Sequence, residues 1–244
     1  MTIVLWTFPA IPQDLSYHMF ADRRTLHGIP HFWNVVSNIP IFLVGVYTLV
    51  SRFSSGKEVL AGESYLWRLW TVLAIAVAVG STYYHTEPEN QTLIWDRLPI
   101  AMLAVVLLAY FIMDRVNNEV GLKALPLLLL LGGASVIYWG YTELMGAGDL
   151  RPYILVQYGS IVMVLALMVA FGSRYTHSWL LVVGLGWYGV AKVFEILDHE
   201  IYRYLEFQIS GHTLKHFSVA AALACIALYM KHKKVIQMKK VKKL

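Results

Sequence analysis

The chain has 244 residues, of which 58% are apolar and only 14% charged, with a mean hydropathy of +0.57. A soluble domain carries about 25% charged residues, so this composition excludes a disordered chain and argues against a water-soluble globule. The net charge of +5 does not point to nucleic acid, because seven lysines crowd into the last fourteen residues: Lys231, Lys233, Lys234, Lys239, Lys240, Lys242 and Lys243. A basic run directly after an apolar one reads as a cytoplasmic anchor facing anionic lipid. The single cysteine, Cys225, excludes an intrachain disulfide or a CxxC metal site.

Taken in chain order, residues 1–29 form a polar N-terminal segment expected to lie on the membrane surface. Its first ten residues are too short and too uncharged for a secretory signal. A bilayer core needs about 20 apolar residues per helix. Seven such runs follow, at 30–51, 65–85, 93–113, 122–142, 152–172, 178–197 and 211–230. Short polar connectors with glycine, asparagine and charge separate them. The expected fold is all-α: one integral-membrane domain over residues 1–244, a seven-helix bundle with 231–244 as a basic tail.

Orientation follows from the lysines and arginines near span ends. One side collects Arg52, Lys57, Arg68, Arg115, Lys123, Arg174 and the lysine tail. The other holds Arg23, Arg24, Arg97, Arg151, Arg203 and Lys215, diluted by acidic residues. The first side is expected to be cytoplasmic, which puts the N-terminus outside and the C-terminus inside.

Ionisable residues inside spans are costly and mark functional sites. Three groups stand out: Ser81-Thr-Tyr-Tyr-His85 ending the second span, Trp95-Asp96-Arg97 opening the third, and His212-Thr-Leu-Lys-His216 opening the seventh. With alternating span directions, all three fall near the outer face. Residues four apart share a helix face, so His212 and His216 can hold one metal ion, as in HExxH helices. Thr213 replaces the glutamate that serves as base in that motif, and Asp96 is the available substitute. Three histidines, His85, His212 and His216, with an open fourth position make a catalytic zinc arrangement. Asp96 can orient and deprotonate a zinc-activated water, and Ser81 can donate to a developing oxyanion. Pro99 frees the Trp95 carbonyl beside Asp96. By spacing alone, interfacial histidines bonded only to water or backbone remain an equal alternative.

The set resembles the alkaline ceramidase family, within a superfamily of seven-span membrane hydrolases that includes adiponectin-type receptors. The family pattern is S-x3-H closing the second span, an aspartate eleven residues later, H-x3-H opening the seventh, and FWN-x-x-SN in the first. Ser81, His85, Asp96, His212, His216 and the stretch Phe32-Trp-Asn-Val-Val-Ser-Asn38 stand at those places. The resemblance implies zinc held by His85, His212 and His216, with Asp96 and Ser81 assisting hydrolysis of a lipid amide. Animal members carry an N-terminal calcium site with a glutamate before FWN. Here His31 stands there, below Arg23 and Arg24, so no calcium site is expected, with only Asp22 left as a candidate ligand.

Lys192, Glu195 and Asp198 follow one another on the sixth span and suggest a charge network supporting the site. The alternative is an interfacial ion pair with Lys192 reaching outward. Asn34, Ser37 and Asn38 read as bonds between helices, and His18, His27, His177, His199 and His232 as surface histidines. The leading expectation is a ceramidase-like zinc amidohydrolase that takes ceramide or a related N-acyl lipid from the outer leaflet. The rivals are an esterase or phospholipid-remodelling enzyme of the same superfamily, and a non-enzymatic seven-span receptor or transporter.

Overall fold

The computed structural model describes residues 7–53 and 61–236. Lys57, Lys239, Lys240, Lys242 and Lys243, used above for orientation, lie outside the described residues. The chain forms helices α1 (Phe32–Val36), α2 (Ile39–Phe53), α3 (Glu63–Thr86), α4 (Asn90–Arg115), α5 (Asn118–Leu144), α6 (Arg151–Ala170), α7 (Trp179–Ile196), α8 (Asp198–Tyr204) and α9 (Gly211–His232). Seven stretches are long and apolar enough to cross a membrane, with α1 and α2 together making the first, Phe32–Ser51. They match the seven expected runs to within a few residues.

The helices begin where the sequence supplies caps for their unpaired N–H groups. Asn117 Oδ1 accepts from the Glu119 and Val120 amides at the start of α5. Glu89 and Thr92 form a reciprocal box at the start of α4. Ser210 Oγ accepts from Thr213 N at the start of α9.

Neighbours in sequence pack side by side from α2 to α6, α9 closes against α2, and α7 leans on α9. Helices α6 and α7, although consecutive, barely touch. Most of α4 is buried (67% of its apolar window), and over half of α3 and α9 (56% each), whereas α5, α6 and α7 bury 28% or less. Lipid-facing helices thus surround a core of α3, α4 and α9, the three that carry the polar groups singled out above.

The crossing of α3 and α4 depends on Gly80. A methyl group there would overlap the Trp95 carbonyl oxygen. That carbonyl has no i+4 amide partner because Pro99 lacks an N–H. The bare backbone of α3 fits against the carbonyl that the proline releases, one residue from both Ser81 and Asp96.

The N-terminal segment is tied down rather than loose on the surface. Leu150 N donates to Ile11 O (2.8 Å), Gln13 N to Glu143 Oε1 (2.8 Å), and Ala21 N to Asp198 Oδ2 (2.9 Å). Arg24 Nη2 reaches Gln208 O (2.7 Å). The segment therefore straps across one end of the bundle, from the α5–α6 loop to the α8–α9 connection. At the other end Lys233 departs from the expectation of a lipid-facing tail. It is fully buried, pairs with Glu63, donates to Tyr110 OH (2.8 Å), and sits among Trp67, Tyr175 and Tyr229. The buried carboxylate beside it and the aromatic faces offset the cost of taking the ammonium out of water.

Gly80→Ala should destabilise the bundle by about 1–3 kcal/mol, as overpacking does. Gly133→Ala, where an added methyl meets nothing within 4 Å, should be neutral or stabilising by up to about 1 kcal/mol. Thermal unfolding of both variants in one detergent checks the contrast; equal tolerance would contradict the close α3–α4 approach.

Candidate metal centre

His85 lies on the last turn of α3, and His212 and His216 on the first two turns of α9. All three are at most 3% exposed. One nitrogen from each falls within 4.8 Å of the others, the one such cluster among the described residues. His85 Nε2 and His212 Nε2 are 3.2 Å apart, and the three ring centroids are 4.8, 4.9 and 5.1 Å from one another. Two nitrogens on a tetrahedral ion with metal–nitrogen bonds near 2.0–2.1 Å are separated by about 3.3 Å. The donor set therefore fits a small ion with imidazole preference, and three ligands leave a position open.

What surrounds the triad fixes its geometry. Ser37 Oγ lies 2.7 Å from His216 Nδ1 and donates to Asn34 O (3.2 Å). With its own proton spent on that carbonyl, the serine accepts from Nδ1–H, which leaves the Nε2 lone pair of His216 free for a metal. Thr213, between the two α9 histidines, donates to Asn34 Oδ1 (3.2 Å). Asn34 and Ser37 thus reach across to α9, while Asn38 bonds back to its own helix at Asn34 O (2.9 Å). The His212 backbone N–H donates to Asp198 Oδ1 (2.7 Å). Gly211 permits this contact, since a side chain there would strike the Phe194 carbonyl. Phe20, from the strap, lies 4.7 Å from the His85 ring and 4.4 Å from the His212 ring and closes the triad from the loop side. His85 Nδ1 is buried without a partner.

A mostly apolar cavity of about 170 Å³ adjoins this centre. A single water needs only about 10–15 Å³, so the space suits an organic ligand. Ser81, Asp96 and His216 line its polar end, and Trp70, Phe111 and Ile226 its far end. Asp96 and Phe111 are about 22 Å apart along a straight helix. Side chains of both α6 and α7, the two consecutive helices that barely meet, line the cavity. Ser81 and Asp96 are both buried and line the cavity together.

The three acidic and basic residues of the sixth span do not form one network. Lys192 and Glu195 pair at 2.6 Å, and Lys215 joins them at 2.5 Å. Asp198 instead spends one oxygen on His212 N and the other on Ala21 N. Tyr17 OH donates to Glu195 Oε1 (3.4 Å). Burial, and secondly the Glu195 carboxylate, push the Tyr17 phenol above its ordinary value, so it stays a donor. Arg97 lies over the rings of Trp139 (4.4 Å), Tyr153 (4.9 Å) and Tyr17 (5.4 Å). Arg24 bonds both oxygens of Asp22 (2.9 and 2.6 Å). His31, in a left-handed conformation (φ 46°), has its imidazole held low by burial. His18 bridges Tyr84 OH and Asn90 Oδ1 at 2.8 Å each and is less free than a surface histidine.

Phe20 and Lys215 are the participants to which sequence reasoning gave no role at the site, whereas Ser37, expected to bond between helices, does so through a candidate ligand, His216. Lys215 stands inside the HTLKH stretch and is the one with a local signal. Ser37 stands inside the FWN-x-x-SN stretch, but its partner is 179 residues away. Phe20 belongs to no periodic pattern.

Among proteins of known assignment, the chain is similar to one from Dictyostelium discoideum named "Putative alkaline ceramidase dcd3A". The two are 28% identical over 187 residues, covering 71% of this chain and 56% of that protein. The chain thus spans little more than half the length of this relative. No family model matches the chain, and no solved structure matches it.

Replacing His85, His212 or His216 by Ala should each abolish stoichiometric metal binding. Ser37→Ala should leave the site intact but weaken metal affinity about 10–100-fold, the usual effect of losing an outer-shell partner. Metal analysis of the purified variants, with competition by a chelator for Ser37→Ala, measures both. Full metal retention in all three histidine variants would overturn the ligand assignment.

Proposed function

We propose that the chain is a ceramidase-like zinc amidohydrolase of the seven-span hydrolase superfamily, cleaving ceramide or a related N-acyl lipid to a fatty acid and a sphingoid-type amine. The observation that carries this reading is the long apolar cavity that ends on Ser81, Asp96 and a buried histidine of a three-imidazole cluster. An apolar slot with a polar, metal-competent end suits a lipid whose hydrolysable bond sits at the head of an acyl chain. The similarity to a protein named as an alkaline ceramidase supports the amide as that bond.

His85, His212 and His216 would hold zinc, since three neutral imidazoles with an open position suit this ion. Zinc, when bound, supplies Lewis acidity for the scissile carbonyl and lowers the pKa of water to about 7. The remaining roles belong to the chain itself. Asp96 accepts the proton of the attacking water on a carboxylate oxygen and returns it to the amine nitrogen as the C–N bond breaks. Ser81 donates a hydrogen bond to the carbonyl oxygen as negative charge develops there. Ser37 holds the His216 ring in its ligating tautomer. Phe20 and the strap keep bulk water from the imidazoles on the loop side, which strengthens charge interactions within. The gap between α6 and α7 lets a lipid enter sideways from the bilayer.

The whole is a single seven-span domain with the strap and the catalytic end outside and the lysine tail in the cytoplasm, an orientation that rests on the distribution of Lys and Arg. A reporter fused after Leu244 should be active only in its cytoplasmic form; activity of a reporter that works only outside would reverse this orientation and place lipid entry in the other leaflet.

Asp96→Ala should keep most of the bound zinc and lose about 10²–10⁴ in turnover, and Ser81→Ala should keep the metal and lose roughly 10²-fold or more. KM should move less than kcat in both, because the lost interactions belong to the transition state. Zinc content and hydrolysis of N-acyl against O-acyl lipids, measured on the same preparations, test the reading. Near-normal activity of Asp96→Ala would remove the mechanism, and cleavage confined to O-acyl lipids would replace the amidase by an esterase.

A further inference from the structure

Arg97 is a buried cation that no carboxylate meets at ion-pair distance among the described residues. The cavity is lined by three basic side chains, Arg97, Lys192 and Lys215, and by two acidic ones, Asp96 and Glu195. Glu195 is taken by both lysines, at 2.6 and 2.5 Å. Asp96 feels the charges of both Lys215 and Arg97 but forms a contact ion pair with neither. Arg97 is only 7% exposed and forms no ion pair among the described residues. Its guanidinium lies over the faces of Trp139, Tyr153 and Tyr17, and Nη1 is buried without a hydrogen-bond partner.

Aromatic faces soften the cost of burying the charge, but they leave the in-plane N–H groups of the fork unpaired. A fork held by stacking on rigid rings is preorganised for an oxyanion, which it binds through two parallel hydrogen bonds. A second unpaired donor lines the same cavity, the Tyr188 hydroxyl on α7. The excess positive charge of the lining acts in the same direction, since a buried cation favours any anion that can reach it.

We propose that Arg97 anchors an oxyanion-binding subsite in the cavity, which takes a carboxylate or phosphate group carried by a lipid. The group is either an acidic substituent on the amine half of the substrate or the carboxylate of the released fatty acid. The proposal rests on the preceding reading only in taking the cavity as the lipid site. On this account the preferred substrate is an acidic N-acyl lipid rather than a neutral one, or the product acid is held after cleavage.

Equilibrium binding to the full chain in nonionic detergent tests this, with N-palmitoylglycine, N-palmitoylethanolamine, palmitate and hexadecanol as probes. The wild type should bind the acidic member of each pair about 10–100-fold more tightly, as expected for a charge-assisted hydrogen bond. Arg97→Met should bring that ratio close to one, and Arg97→Lys should restore part of it. A ratio that depends on Arg97 for N-palmitoylglycine alone assigns the subsite to the substrate; one that depends on it for palmitate assigns it to the product. Equal binding of acidic and neutral lipids by the wild type, or an unchanged ratio in Arg97→Met, overturns the proposal. If Arg97→Met does not fold, the wild-type ratio and Arg97→Lys still decide. Turnover of the same lipids separates the two readings. Charge-selective binding without amide cleavage keeps the subsite and removes the amidohydrolase. Cleavage without charge selectivity does the reverse.

Discussion

Three imidazole rings packed against one another inside the bundle set the terms for everything at that end of the molecule. His85 Nε2 and His212 Nε2 approach to 3.2 Å, and one nitrogen from each of the three rings lies within 4.8 Å of the others. Buried polar groups persist when something pairs with them, and a metal ion held there would pair with all three rings at once. The surroundings fix the rings in place. Ser210 and Asp198 pin the first turn of α9 through its backbone amides, and Ser37 orients His216 from α1–α2. Gly80 and Gly211 let α3 and α9 come close enough to their neighbours for the rings to meet. The strap then places Phe20 over two of the rings.

The rest of the bundle is arranged around a contrast between this end and the apolar cavity that leaves it. Helices α3, α4 and α9, with the ends of α7 and α8 that pack on α9, carry the buried charge. Lys192 and Lys215 share Glu195, Asp198 serves two amides, and Arg97 stacks on aromatic rings. Helices α5, α6 and α7 face lipid along most of their length. The seam between α6 and α7 is loose, and side chains of both helices line the cavity. The proposed lipid hydrolysis would need both features together, a dry polar end and a way in for the lipid.

Much of this was legible in the sequence, for specific reasons. Runs of about 20 apolar residues can do little in water, so the seven spans were plain. The spacing of His212 and His216 puts them on one face, and alternating span directions bring His85 and Asp96 to the same level. What the sequence could not show are contacts without a period. The Ser37–His216 bond joins residues 179 apart, and no local pattern announces it. Asp198 stands at i+3 from Glu195, a spacing that suggests one network, yet the helix breaks at Leu197 and turns Asp198 toward α9 and the strap. Lys233 looked like one more tail lysine because its partner, Glu63, lies at the far end of another helix. The N-terminal segment has no amphipathic repeat, so its path over the bundle and the position of Phe20 were unreadable.

The account stands or falls on whether one ion joins the three imidazoles. X-ray absorption at the zinc edge of the purified protein observes this directly. It should give a first shell dominated by nitrogen at about 2.0–2.1 Å, with outer-shell scattering from three histidine rings. A first shell of oxygen alone without imidazole scattering, or a protein that hydrolyses lipid while free of metal, would contradict it.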